Sequence, residues 1–307
     1  MPPVENNLIV NFGGELAALG AAFLWAAASV LYGRIGQYLS PLKMNLIKNL
    51  IALAMILGVL LPGGGELFSG IDLFAGILLS LSGGIGIGLG DTAYFGALKH
   101  LGARRAILLM ILSPPITGIL ALIFLGENIS VGAWLGVMIT VTGVAWVISE
   151  QDSAADVGTN RKLLGIALGL FAAVGQAIGA ILSHAAFLHM SISPLRSALL
   201  RLIGGTGFIL ICMLLLKDSS GLGYGNLDSF RRWRTIIFTV FIGTFMGIWL
   251  QQISLKYAAA GVAQTLFATS PLFVLPIVAV MGEYISLRSL FGAILAIAGV
   301  GFIFGLQ

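Results

Sequence analysis

The sequence predicts an all-α polytopic membrane protein, with ten transmembrane helices in two inverted five-helix repeats around a central cavity. Three observations predict it. The chain of 307 residues is 58% hydrophobic and only 9% charged, where a soluble domain carries roughly 25% charged residues. Its mean hydropathy is +1.05, and its apolar residues fall in runs of the roughly 20 needed to cross a bilayer. A pattern of rare residues also recurs about half a chain later. Leu98-Lys99, Ser113-Pro114 and Gly126-Glu127 return as Leu255-Lys256, Ser270-Pro271 and Gly282-Glu283.

The runs can be taken in order. The first, 15–33, comes after a segment with Glu5 and Glu15 but no Lys or Arg, the wrong charge for a secretory leader, and is read as a retained helix. The second, 41–61, opens at Ser40-Pro41-Leu42-Lys43 and carries Lys48. The third, 71–98, holds the glycines from Gly83 to Gly90 and then Asp91. Those glycines do not match GxGxxG and have no strand before them, so they read as a close-packing stripe rather than a nucleotide loop. The fourth, 103–125, contains Ser113-Pro114-Pro115, and the fifth, 131–148, carries Gly136 and Gly143. A polar connector, 149–162, then divides the chain into repeats 15–148 and 163–306.

The second repeat runs in the same order. Run 163–187 is succeeded by 194–216, which opens at Ser193-Pro194-Leu195-Arg196 and has Arg201 where the first repeat has Lys48. Run 235–255 is succeeded by 261–281 with Ser270-Pro271 and Pro276. Run 287–306 carries Gly292 and Gly299, in the places of Gly136 and Gly143. Five crossings are an odd number, so the second repeat starts on the opposite face of the membrane. Two like units inverted about an axis in the membrane plane suit alternating access to a midplane site.

The Ser-Pro-Leu-Lys/Arg helix starts, the Leu-Lys turns, the Ser-Pro helices and the Gly-Glu ends are each unspecific. In duplicated order they make the chain resemble the EamA type of drug/metabolite transporter, over about 15–306. The resemblance implies a basket of ten helices whose first, third, fourth, sixth, eighth and ninth line a cavity. It also implies export of amino acids and other small metabolites, with a small-molecule solute and the lipid bilayer as partners. The plasma (inner) membrane is the expected location.

Within the runs, Asp91 is the sharpest candidate, because an ionised carboxylate inside an apolar helix faces a cavity or a partner. It suits proton or cation coupling, or an anchor for a substrate ammonium; the structural alternative is an acid paired with Lys99 or Lys48. Tyr94 and Phe95 come next at helical spacing. Lys48 and Arg201 form a symmetric basic pair, read either as attracting an anionic solute or as snorkelling to the interface. Trp25, Ser29 and Tyr32 share one helix face, Gln176 and Ser183 another, and Trp249, Gln252 and Lys256 a third. Aromatic walls with sparse amides suit a small solute, and ordinary interhelical packing would use the same residues. Ser113, Pro114, Pro115, Ser270 and Pro271 predict kinks that free carbonyls near Met110, Ile111 and Phe267. His184 and His189, near a helix end, read as interfacial or as a proton relay.

Other chemistries find little support. The single Cys212 excludes an internal disulfide, and no metal site or cofactor is expected. No Walker motif, nucleophile elbow or HExxH is present. The pI near 9.4 reflects loop Lys and Arg rather than nucleic acid. Efflux of hydrophobic cations is one alternative function, and a lipid-modifying membrane enzyme using Asp91 and His184 is another. Proton coupling and facilitated diffusion both stay open, as does oligomeric state. Of the 16 Lys and Arg, all but Arg196, Arg201 and Lys256 fall toward one side. The positive-inside rule then puts both termini outside the cytoplasm, against the family's expected inside termini.

Overall fold

The computed structural model describes residues 7–63, 67–125, 131–148, 159–215, 230–258, 263, 266–282 and 285–305; no strand occurs among them. Gly126-Glu127, Glu283 and most of the 149–162 connector lie outside the described residues. Helix α1 (Asn7–Ile35) leads through a short turn into α2 (Pro41–Leu60). Ser40 starts α2 by accepting from the Lys43 N–H at 3.4 Å, and Pro41 takes the first turn, where its missing N–H costs nothing.

Next, α3 (Leu73–Ser82) runs without a break into a π-helical segment, Gly83–Asp91, and on into α4 (Thr92–Leu109). A 3-10 turn, Met110–Leu112, joins α4 to α5 (Ser113–Leu125). From Leu73 to Leu120 this apolar stretch counts 48 residues. Straight, it would reach roughly 72 Å, more than twice a bilayer core of about 30 Å. It does not run straight. Gly102, at φ 76°, reverses it, a conformation that only glycine adopts without strain. Packing on α7 records the reversal. Gly165 lies against His100 and Leu101, and Gly169, further along α7, lies against Leu109.

The rest comprises α6 (Val131–Ile148), α7 (Thr159–His189), α8 (Pro194–Leu215) and α9 (Phe230–Val240). A second π-helical segment, Phe241–Met246, leads into α10 (Gly247–Tyr257), and α11 (Ser270–Val280) and α12 (Leu287–Gly305) close the chain. Among the described residues, six stretches are long and apolar enough to cross a membrane: Gly13–Ile35, Pro41–Leu60, Leu73–Leu120, Asn160–His189, Pro194–Leu215 and Arg231–Tyr257. The surface matches that role. Leu73 is 78% exposed and Leu214 79%, while Lys48 is 3% exposed and Asn45 and Gln252 are 0%. Large apolar side chains face out while these polar ones are buried among an otherwise apolar interior, unlike the surface of a water-soluble protein.

Small residues bring the helices together. A Cβ on Gly83 would land on the Arg201 carbonyl, so the first π segment lies backbone to backbone against α8. The second π segment packs on α1 and α2. Gly143 of α6 faces Gly292 and Ala296 of α12, and Gly299 faces Thr140 and Gly136. The glycines that match between the halves thus meet one another in one helix pair.

Candidate functional site

The two π segments lie where the interior is most polar. A π turn (i→i+5) displaces backbone carbonyls from their usual partners, and side chains take them. The Asn45 amide donates to the carbonyls of Ile87 at 2.7 Å and Gly88 at 3.2 Å, and to the Thr92 hydroxyl at 2.8 Å. In the second segment, Trp25 Nε1 donates to the Gly243 carbonyl at 3.0 Å. Tyr32 pairs with the Thr244 hydroxyl at 2.8 Å.

Between these segments is a cavity of about 130 Å³. For scale, an engineered apolar cavity of roughly 150 Å³ takes benzene. Both halves line it: Trp25, Ser29, Tyr32, Lys48, Asp91, Tyr94 and Phe95 from the first, and Gln176, Arg201, Thr244, Ile248, Gln251 and Phe267 from the second. Asp91 ends the first π segment. One carboxylate oxygen receives the Lys48 ammonium and the other accepts from Gln176 Nε2 at 2.9 Å. Lys48 also sits 5.4 Å from the centroid of the Phe95 ring, within the range of a cation–π contact. Tyr94 donates to the Ser29 hydroxyl at 2.7 Å. Arg201 donates from Nη1 to Gln251 Oε1 at 2.9 Å. The charged lining is therefore one carboxylate and two cations.

Several expected site residues come together here. Asp91, Tyr94, Trp25, Gln176, Lys48, Arg201, Ser113, Pro114, Ser270 and Pro271 all line the cavity. Others do not. Ser183 is buried beside it, paired with the Ser82 hydroxyl at 2.9 Å, and Ser82 donates to the Gly179 carbonyl at 2.6 Å, so this pair ties α7 to α3. Trp249 packs against Phe245 at 5.9 Å between ring centroids. Gln252 is wholly buried, and neither of its amide atoms has a partner among the described residues. The face that α10 turns to the cavity is Ile248 and Gln251, one residue before the expected face. Every face of that helix carries an amide or an aromatic ring, and packing alone selects among them.

The basic pair and the prolines also differ from expectation. Neither Lys48 nor Arg201 snorkels: they are 3% and 1% exposed. Pro114 and Pro271 begin new helices after a 3-10 turn and a short turn, rather than interrupting one. The Ser270 hydroxyl caps the Phe267 carbonyl at 2.7 Å. Pro276 alone of these sits inside its helix. His184 and His189 stand apart from the cavity lining. His189 pairs with Asp72 at 3.1 Å at one end of the bundle. Asp72 also caps α3, and its hydrogen bonds to the Ala75 and Phe74 N–H groups, with His189 beside it, hold its carboxyl below the usual range.

Three lining or supporting residues carry no mark in the sequence: Asn45, Thr244 and Gln251. The nearest thing to a signal is for Asn45, which stands one turn before Lys48 on the same face.

The model of the EamA-like transporter family matches residues 12–149 and 163–305. A Clostridium kluyveri protein described as an uncharacterized transporter is 30% identical over 144 residues, 47% of this chain and 46% of that one. The match thus spans about half the length of that relative. A solved crystal structure of a protein has a TM-score of 0.69 to this one, covering 96% of this chain and 97% of that one at 15% identity. That likeness is one of fold alone.

Proposed function

Because the chain belongs to the EamA-like transporter family, it is a multi-pass membrane transporter rather than an enzyme, and we propose that it is a secondary exporter of small polar metabolites such as amino acids. The observation that carries this reading is the cavity, whose charged, amide and aromatic groups come from both halves of the chain. Such a lining suits a small polar solute, with apolar walls and a few placed polar groups. The proposed architecture is ten crossing helices in two inverted repeats, 15–148 and 163–306, that rock about the site in the plasma membrane. The separate family matches to 12–149 and 163–305 support it. So does the exchange of partners: the first π segment packs on α7 and α8, the second on α1 and α2.

Asp91, paired with Lys48 and Gln176, is the proposed coupling group, since adding a proton there would break its bond to the ammonium. Tyr94, Trp25 and Gln176 border the solute, and Ser183, Trp249 and Gln252 support the helices behind it. Efflux of hydrophobic cations, the second reading, draws on the rings of Trp25, Tyr32, Tyr94 and Phe267. An excess of positive charge in the lining weighs against it.

The test is uptake and counterflow in proteoliposomes against a panel of amino acids, short carboxylates and lipophilic cations, with and without a pH gradient. Saturable counterflow of a small polar solute is expected, and movement of lipophilic cations alone would overturn the reading. A rate that responds to the gradient in wild type and not in Asp91→Asn is the expected sign of coupling.

A further inference from the structure

The cavity's charges are balanced at one end and unbalanced at the other. Lys48 has its carboxylate in Asp91. Arg201, in the corresponding place on α8, touches none among the described residues, although the charge of Asp91 reaches it across the cavity. Under the repeat proposed above, Leu98-Lys99 matches Leu255-Lys256, and the same register sets Ile248 where the first half has Asp91. Ile248 lines the cavity too. The Arg201 guanidinium is buried, its hydrogen-bond partner is the neutral Gln251, and its buried Nε has no partner among the described residues.

The surroundings leave room for that head group. A Cβ on Gly86 would stand 3.4 Å from Nη2, and one on Gly179 3.6 Å from it. Two helices thus present bare backbone to the guanidinium. A cation kept from water with a neutral partner is disfavoured until an anion reaches it. The planar fork of arginine matches a carboxylate better than any other common anion except phosphate. A cavity of about 130 Å³ favours the smaller of the two attached to a short carbon chain.

We infer that Arg201, with Gln251, is a carboxylate-binding subsite, and that the solute is a small monocarboxylate or amino acid. Its carboxylate takes the position beside Ile248 that Asp91 holds in the first half. The carboxylate thereby supplies the charge that the second repeat lacks: a monocarboxylate makes the loaded cavity neutral, and an amino acid adds an ammonium that the carboxylate of Asp91 faces. This rests on the exporter reading and narrows its substrate class. By size, the occupant has on the order of six heavy atoms, as benzene does in its comparable cavity. Trp25 and Phe267, with ring centroids 5.6 Å apart, are the apolar wall for the carbon chain.

The experiment measures thermal unfolding of the purified full-length protein with acetate, propionate or alanine. Chloride at equal ionic strength and the matching amides serve as controls. Carboxylates are expected to raise the melting temperature and amides to leave it unchanged. Arg201→Gln should weaken the carboxylate effect at least about tenfold, the scale of one charged hydrogen bond. Ile248→Asp supplies the missing acid from within. It should melt no lower than wild type and should abolish the carboxylate effect while Arg201 is intact. It therefore carries the test should Arg201→Gln fail to fold. Amides that protect as well as carboxylates would overturn the subsite, as would a carboxylate effect that survives Ile248→Asp, or an unstable Ile248→Asp. Liposome uptake of the same compounds separates the two readings. Solutes moved without regard to a carboxylate would sink the subsite and leave the exporter. Carboxylates that protect but never move would do the opposite.

Discussion

Lys48 and Asp91 are each explained by the other. Two ionised side chains inside an apolar bundle are tolerated because they touch, and Gln176 occupies the second carboxylate oxygen. Removing one partner strands the other, at a typical cost of about 3–5 kcal/mol, whereas replacing both by apolar groups is often neutral. Asp91→Asn is therefore expected to melt well below wild type, and Lys48→Met with Asp91→Leu to recover most of the loss. If the pair serves transport, both variants lose the response to the pH gradient in liposomes; a double variant that transports normally would make the pair structural only. Asp91 was legible because a lone acid in an apolar run demands a partner. Asn45 was not, because an amide in a helix declares no direction until the neighbouring helix is known. Its three hydrogen bonds are visible only once the Ile87 and Gly88 carbonyls are displaced from helical partners.

Among the elements, the α-helical runs were legible and the π segments were not. Apolar length fixes where a helix lies. A π turn inserts one residue without altering composition, and it rotates the downstream helix by about 100°. That rotation separates reading an amide in α10 from knowing that Gln251, and not Gln252, meets Arg201. The glycines from Gly83 to Gly90 were legible as a packing stripe, and the closest contact among them sets a prediction. Gly83→Ala places a methyl group on the Arg201 carbonyl, and overpacking of this kind costs typically 1–3 kcal/mol. The variant should melt lower and should respond less to carboxylates, because α8 must retreat. An unchanged melt would mean that the two helices are not held in this contact. By contrast, Gly58, with nothing near its added Cβ, should accept alanine with no loss.

For the whole molecule, the repeat is the feature that the sequence marks most plainly, and it stands as a proposal. It was written in Ser-Pro and Leu-Lys pairs and in the last-helix glycines that meet between α6 and α12. Its asymmetry is also legible, since under the proposed repeat Ile248 or Trp249 stands where the first half has Asp91. Orientation belongs to this scale as well. Asp72, His189 and Lys256 gather at one end of the bundle, while Arg232 stacks on Tyr38 and Arg288 on Trp146 at the other. The end richer in Arg is expected to face the cytoplasm. A reporter active only in the cytoplasm, fused after Gln307, should then stay silent, and strong activity would reverse the assignment.

Arg201 also sets an order of assembly. The first half leaves the ribosome with both members of its ion pair. The second half brings a cation whose backbone rests on Gly83 and whose head lies beside Gly86, both synthesised earlier. Until that surface is present the backbone of α8 at Arg201 has no close-packed neighbour there, so the second half matures as a client of the first.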